Sequence, residues 1–128
     1  MISVSKIKGI LKLSKTNPVL AEKIPADIFE NAVVISGEIS SKQLGIVQVE
    51  KGLKAPKWFA QLNKTSGERL LVIDNIDAIK KEEQEKFYEL LKYKQISGVD
   101  LPQGTSIIVL AQDIKNVSET ILRLCIFA

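Results

Sequence analysis

"RLLVIDNIDAIKKEEQEKFYELL", residues 69–91, is the stretch on which the fold turns. From Leu70 to Ile73 every residue is apolar, and the run stops at Asp74. A strand this continuously apolar suits a parallel sheet covered on both faces. A second acid follows at Asp77, and beyond it Phe87, Leu90 and Leu91 fall on one helical face against charged neighbours. That spacing predicts an amphipathic helix over about 80–95. A buried strand, an acid at its carboxyl end and a helix after a short turn form one unit of an α/β architecture.

Moving outward, AVVIS (32–36), closed by Gly37, and SIIVLA (106–111), leading to Gln112, have the same continuous apolar character. IVQVE (46–50) alternates as a half-buried strand would. At the N-terminus Val4, Ile7, Ile10 and Leu11 share a face that Lys6, Lys8, Lys12 and Lys15 mostly avoid, which predicts a helix over 3–15. Pro18 ends it, because the residue before a proline is pushed out of the helical region. PKWFAQLNK (56–64) reads as a short helix with proline in its first turn, anchored by Trp58, Phe59 and Leu62. A last helix should start near Ser118, whose hydroxyl can cap it, and carry Ile121, Leu122 and Cys125 inward. The expected fold is therefore α/β, a three-layer arrangement around a mainly parallel sheet. It forms a single domain, 1–128, with the N-terminal helix packed on its core. In such sheets ligands bind at the carboxyl ends of the strands, and Gly37, Asp74 and Gln112 all lie at such ends.

Composition removes several classes of chemistry. The chain has no histidine, so a histidine base, a catalytic triad or a histidine metal site cannot form. Its one cysteine, Cys125, rules out an internal disulfide and leaves a structural zinc site without ligands. The apolar runs are too short to span a membrane and no secretory leader is read, so the expected setting is cytoplasmic, without a membrane partner. The net charge of +3 suits an anionic partner. Nucleic-acid binding through the lysine-rich N-terminal helix is one reading, although that helix has no interleaved aromatics for base stacking.

LLVIDNID resembles a Walker B segment, in which an acid after an apolar strand holds the magnesium of a nucleoside triphosphate. Downstream, Gln84, Leu90-Leu91, Gly98, the Leu101-Pro102-Gln103-Gly104 turn and IIVLA ending at Gln112 resemble, in order, the matching region of MoxR-type AAA+ ATPases. APKWFAQL and VSETILRLC resemble two further helices of that family, the second of which carries its arginine finger. The resemblance implies a P-loop NTPase (AAA+) core, truncated and without the C-terminal lid domain. It also implies self-association or docking onto a full-length ATPase, since these proteins form rings.

The departures fall on the chemical positions. A P-loop reads G-x-x-x-x-G-K-[ST], so that glycine amides wrap the phosphates and the lysine neutralises them. GEISSKQL (37–44) supplies Gly37 and Lys42 but lacks the second glycine, places its lysine one residue early and has Gln43 where the hydroxyl belongs. Asp74 matches the metal-holding acid, yet Asn75 replaces the glutamate that orients water, and an amide is no general base. Gln112 takes the sensor position. Arg123 falls one residue before the arginine-finger position, about 100° around a helix. The first reading is a non-hydrolysing AAA+-like binding or assembly module with no cofactor. A second is an unorthodox ATPase with Lys42 on phosphate, Asp74 on magnesium and Asp77 as base, although Asp77 is placed more naturally to cap the following helix.

Overall fold

The computed structural model describes residues 4–14 and 16–128. Among them the chain runs α1 (Val4–Ser14), β1 (Val19–Glu22), β2 (Val33–Ser36), α2 (Ser41–Leu44), β3 (Val47–Val49), β4 (Gly52–Lys54), α3 (Lys57–Lys64), β5 (Arg69–Asp74), α4 (Tyr88–Tyr93), β6 (Gln95–Ile96), β7 (Val99–Asp100), β8 (Thr105–Ala111), α5 (Glu119–Leu122) and β9 (Ile126–Phe127). Residues 3 and 15 of the expected first helix, Lys15 included, lie outside the described residues.

Five strands form one sheet in the order β2-β5-β8-β1-β9, with every pairing parallel. Side chains alternate across it, as strand geometry requires. Leu71, Ile73, Ile107 and Val109 point to a face covered by α3, α4 and α5 through Leu62, Leu90, Leu91 and Ile121, with Phe87 from the 3-10 turn before α4. Val72, Ile108, Leu110, Val19 and Ala21 point to the other face, closed by Ile7 of α1 together with Ile24 and Phe29. Helices on one face and a helix plus a loop on the other give the three layers, and the centres of β5 and β8, Leu71–Ile73 and Ile107–Ala111, are apolar because neither of their faces meets water.

Several elements differ from the sequence reading. β1 and β9 were not expected, yet β1 lies inside the sheet with Val19, Leu20 and Ala21 buried. IVQVE does form a strand, but it pairs antiparallel with β4 in a separate hairpin whose tip is exposed. The helix expected over 80–95 is broken into a 3-10 turn at Glu83–Phe87 and the short α4. Lys94 ends α4 in the left-handed region, and its ammonium donates to the Thr105 carbonyl at 2.9 Å. Desolvation by burial holds that ammonium below its usual pKa. Ser97 and Gly98, both with positive φ, then make the tight turn of the β6–β7 hairpin. The Glu89 carboxylate accepts both of their amides at 2.8 Å. Ser118 caps α5 as expected, accepting from the Ile121 amide.

Candidate functional site

β1 and β8 are neighbours whose onward connections leave in opposite directions, β1 toward β2 at one edge and β8 past β1 to β9 at the other. Their carboxyl ends therefore define the topological switch point where α/β sheets place ligands. The connection leaving β1, residues 23–32, contains no glycine and forms a single 3-10 turn, Ala26–Ile28. A phosphate loop needs a glycine-rich turn that opens a helix, and this connection has neither.

The chain ties its own strand ends together here. The Lys23 amide donates to the Ala111 carbonyl at 2.9 Å, and Glu22 accepts from the Ile114 amide at 2.9 Å. Asp77 accepts from the Gln112 amide at 3.1 and 3.2 Å and from the Asp113 amide at 2.9 Å. Its carboxylate thus reaches across to the amides left free where β8 ends. It does not cap a following helix, and this corrects the sequence expectation. Glu22 was missed because β1 was missed; an apolar triplet directly after Pro18 was the available signal.

Asp74, Asn75 and Gln112 line one cleft of about 460 Å³ together with Asp27. Among the described residues its lining includes two carboxylates and no basic side chain. Such a wall repels a polyphosphate, because like charges meet across a partly desolvated surface. Also among the described residues, no cluster of three or more acidic or cysteine side chains is positioned to hold a metal ion. Magnesium is usually bound through one or two carboxylates plus phosphate oxygens, so Asp74 alone is a poor match for Mg-ATP where phosphate is repelled.

Gly37 lies at the end of the edge strand β2, where its amide donates to the Asp74 carbonyl at 2.7 Å. A Cβ there would stand 2.4 Å from the Asn75 carbonyl oxygen and 2.9 Å from the Ile76 Cα. The glycine is thus required by close approach of backbone to backbone. Asn75 has φ 52°, a left-handed conformation that asparagine tolerates better than most residues. This gives the asparagine a conformational reason independent of chemistry.

The loop that follows does not converge its amides on a common point. Those of Glu38 and Ile39 bond to Ser36, those of Gln43 and Leu44 to Ser40. Lys86 donates to the Ile39 carbonyl and fixes the loop from the other side. Lys42 is exposed and lines a different cavity from Asp74, so the two residues of the phosphate–magnesium reading do not share a site. Gln84, singled out in the sequence, is fully buried. It donates to the carbonyls of Ile79 and Asn116 and accepts from the Ser118 amide, joining the turn after β5 to the start of α5. Arg123 is exposed and pairs with Glu119 at 3.6 Å.

The all-parallel five-stranded sheet, covered on both faces, is a three-layer fold of P-loop NTPase (AAA+) type. Among solved structures the chain is similar to two mutant forms of RuvB from Thermotoga maritima. One has a TM-score of 0.55 at 19% identity, over 99% of this chain and 45% of that one. The other has a TM-score of 0.53 at 20% identity, over 98% of this chain and 45% of that one. The chain spans about 45% of the length of these structures. No family model and no curated protein matches it. At these identities the likeness is one of fold alone.

Proposed function

We propose that this protein is a non-hydrolysing AAA+-like module that binds or assembles with other proteins. One observation carries the reading: carboxylates of Glu22 and Asp77 lace the switch point shut by accepting the amides of residues 112–114. The adjoining cleft is acidic, and the connection leaving β1 has neither a glycine nor a helix to hold a phosphate. The degenerate Walker A, Walker B and arginine-finger positions agree with this, as does the finer resemblance of residues 84–112 to MoxR-type members. Within the reading, self-association or docking onto a full-length ATPase follows from the AAA+ type of fold.

Isothermal titration with Mg-ATP tests the proposal. The expected result is no saturable heat and no phosphate release; micromolar binding with magnesium-dependent turnover abolished by Asp74→Ala would refute it. Light scattering after size exclusion, alone and with candidate ATPases, tests the assembly half.

A further inference from the structure

We propose that the open edge of β2 is a docking groove for an extended, acidic segment of a partner protein, which adds to the sheet as a further strand. Among the described residues β2 pairs only with β5. Backbone groups of successive strand residues face opposite sides. Because the Gly37 amide bonds Asp74 of β5, Val33 and Ile35 also face β5, and the backbone groups of Val34 and the Ser36 amide face away from it, while the Ser36 carbonyl accepts the Ile39 amide. An unpaired edge is a template for another chain unless it is covered. This one opens into a cavity of about 660 Å³ that Val34, Ile35 and Ser36 line together with Trp58 and Pro56 at the start of α3. Val34, in mid-strand, is 45% exposed. The four residues of β2 give an incoming strand about 13 Å of pairing length.

Charge selects the occupant. Lys42, Lys54 and Lys57 line the groove against one acid, Glu38. A second copy of this chain is disfavoured, since pairing β2 with β2 would oppose the two sets of lysines and the chain carries +3 overall. Alternate side chains of an added strand point to opposite faces, so an acidic-apolar alternation would bring every second side chain, the acids, to the face where the lysines line the groove. This proposal goes beyond the module reading; Val34 also borders the strand-end cleft, but Lys42 and Lys57 line only the groove, so variants at those lysines separate it from nucleotide binding there.

The test uses a blocked hexapeptide of alternating glutamate and valine, its lysine-valine counterpart, and amide NMR with the fluorescence of Trp58, the one tryptophan of the chain. The acidic peptide should saturate, shift the Val34 and Ser36 amides, and bind at least about ten-fold more tightly than the basic one. Val34→Pro deletes an amide that faces the groove and leaves the β5 ladder intact, so it should abolish binding without unfolding the sheet. Lys42→Glu with Lys57→Glu should weaken the acidic peptide about ten-fold at an unchanged unfolding midpoint, which keeps the test decisive if the proline variant misfolds. Equal affinity for both peptides, shifts confined to other surfaces, or displacement of the peptide by Mg-ATP would overturn the proposal.

Discussion

Replacing Gly37 by alanine separates two accounts of one glycine. In a phosphate loop the residue serves an anion, and a methyl group would weaken nucleotide binding while leaving the fold nearly intact. In this structure the methyl would sit 2.4 Å from the Asn75 oxygen and 2.9 Å from the Ile76 Cα, both backbone atoms. Ordinary van der Waals separation is about 3.5 Å or more, so one backbone must retreat by roughly 1 Å. Overpacking of that kind costs about 1–3 kcal/mol. The retreat also strains the 2.7 Å bond from Gly37 to Asp74, a net contribution near 1 kcal/mol. Together these give a loss of about 3 kcal/mol. With a urea slope of about 2 kcal/mol per molar, the midpoint should fall by about 1.5 M. Far-UV circular dichroism in a urea series measures this directly. A midpoint within about 0.3 M of the parent would refute the close-approach argument, by the same slope.

Asp77→Ala leaves the Gln112 and Asp113 amides without their carboxylate, for a loss of about 2 kcal/mol seen as a fall in thermal midpoint of roughly 6–10 °C. An unchanged midpoint would show that the carboxylate does not hold the strand ends together. Gln84→Leu buries an unpartnered Ser118 amide and two carbonyls, and should cost about 2–3 kcal/mol; a neutral result in a urea titration would contradict the bonding seen around that side chain. Asn75→Glu restores the carboxylate of the Walker B pattern but places it in a left-handed conformation, so it should lose up to about 1 kcal/mol and gain no turnover in a phosphate-release assay. Appearance of turnover would refute the non-hydrolysing reading. Burial pushes the Cys125 thiol from 9.0 up to about 12. Below pH 9 folded and unfolded chains both keep the proton, whereas between pH 9 and 12 only the folded chain does, so this thiol's contribution to stability falls as pH rises through that window. Urea midpoints from pH 8 to 11 should therefore drop more steeply in the parent than in Cys125→Ala, and parallel slopes would contradict it.

How far the sequence discloses this protein depends on how local the cause is. β5 and β8 were legible because burial on both faces demands an unbroken apolar run, and Leu70–Ile73 and Ile107–Ala111 are such runs. β1 offers only Val19, Leu20 and Ala21 between a proline and a charged pair, too short a run to separate from a loop. β9 is two residues long, paired with β1 and exposed. The helix predicted over 80–95 is α-helical only over Tyr88–Tyr93, because residues 83–87 form a 3-10 helix and Lys94, with positive φ, ends the element before the Ser97-Gly98 turn. The grouping of Asp74 with Gln112 at one sheet end was legible, since both end continuous strands. The partner of Asp77 was not, because its acceptor role concerns backbone amides 35 and 36 residues away that no side-chain pattern encodes.

On the proposed reading, the fold keeps an acid at a strand end without the chemistry of a triphosphate site. In a triphosphate site the backbone amides at the switch point must stay free to face an anion, and the strand-end acid needs a metal brought by the phosphates. Here the amides of residues 112–114 are already taken by Glu22 and Asp77. Each bond that closes the sheet end removes a donor that phosphate would need and adds a negative charge that phosphate would oppose. Stability and nucleotide affinity therefore pull in opposite directions at this point of the sheet. Open backbone lies instead at the edge of β2, where Val34 and the Ser36 amide face away from β5 beside three lysines.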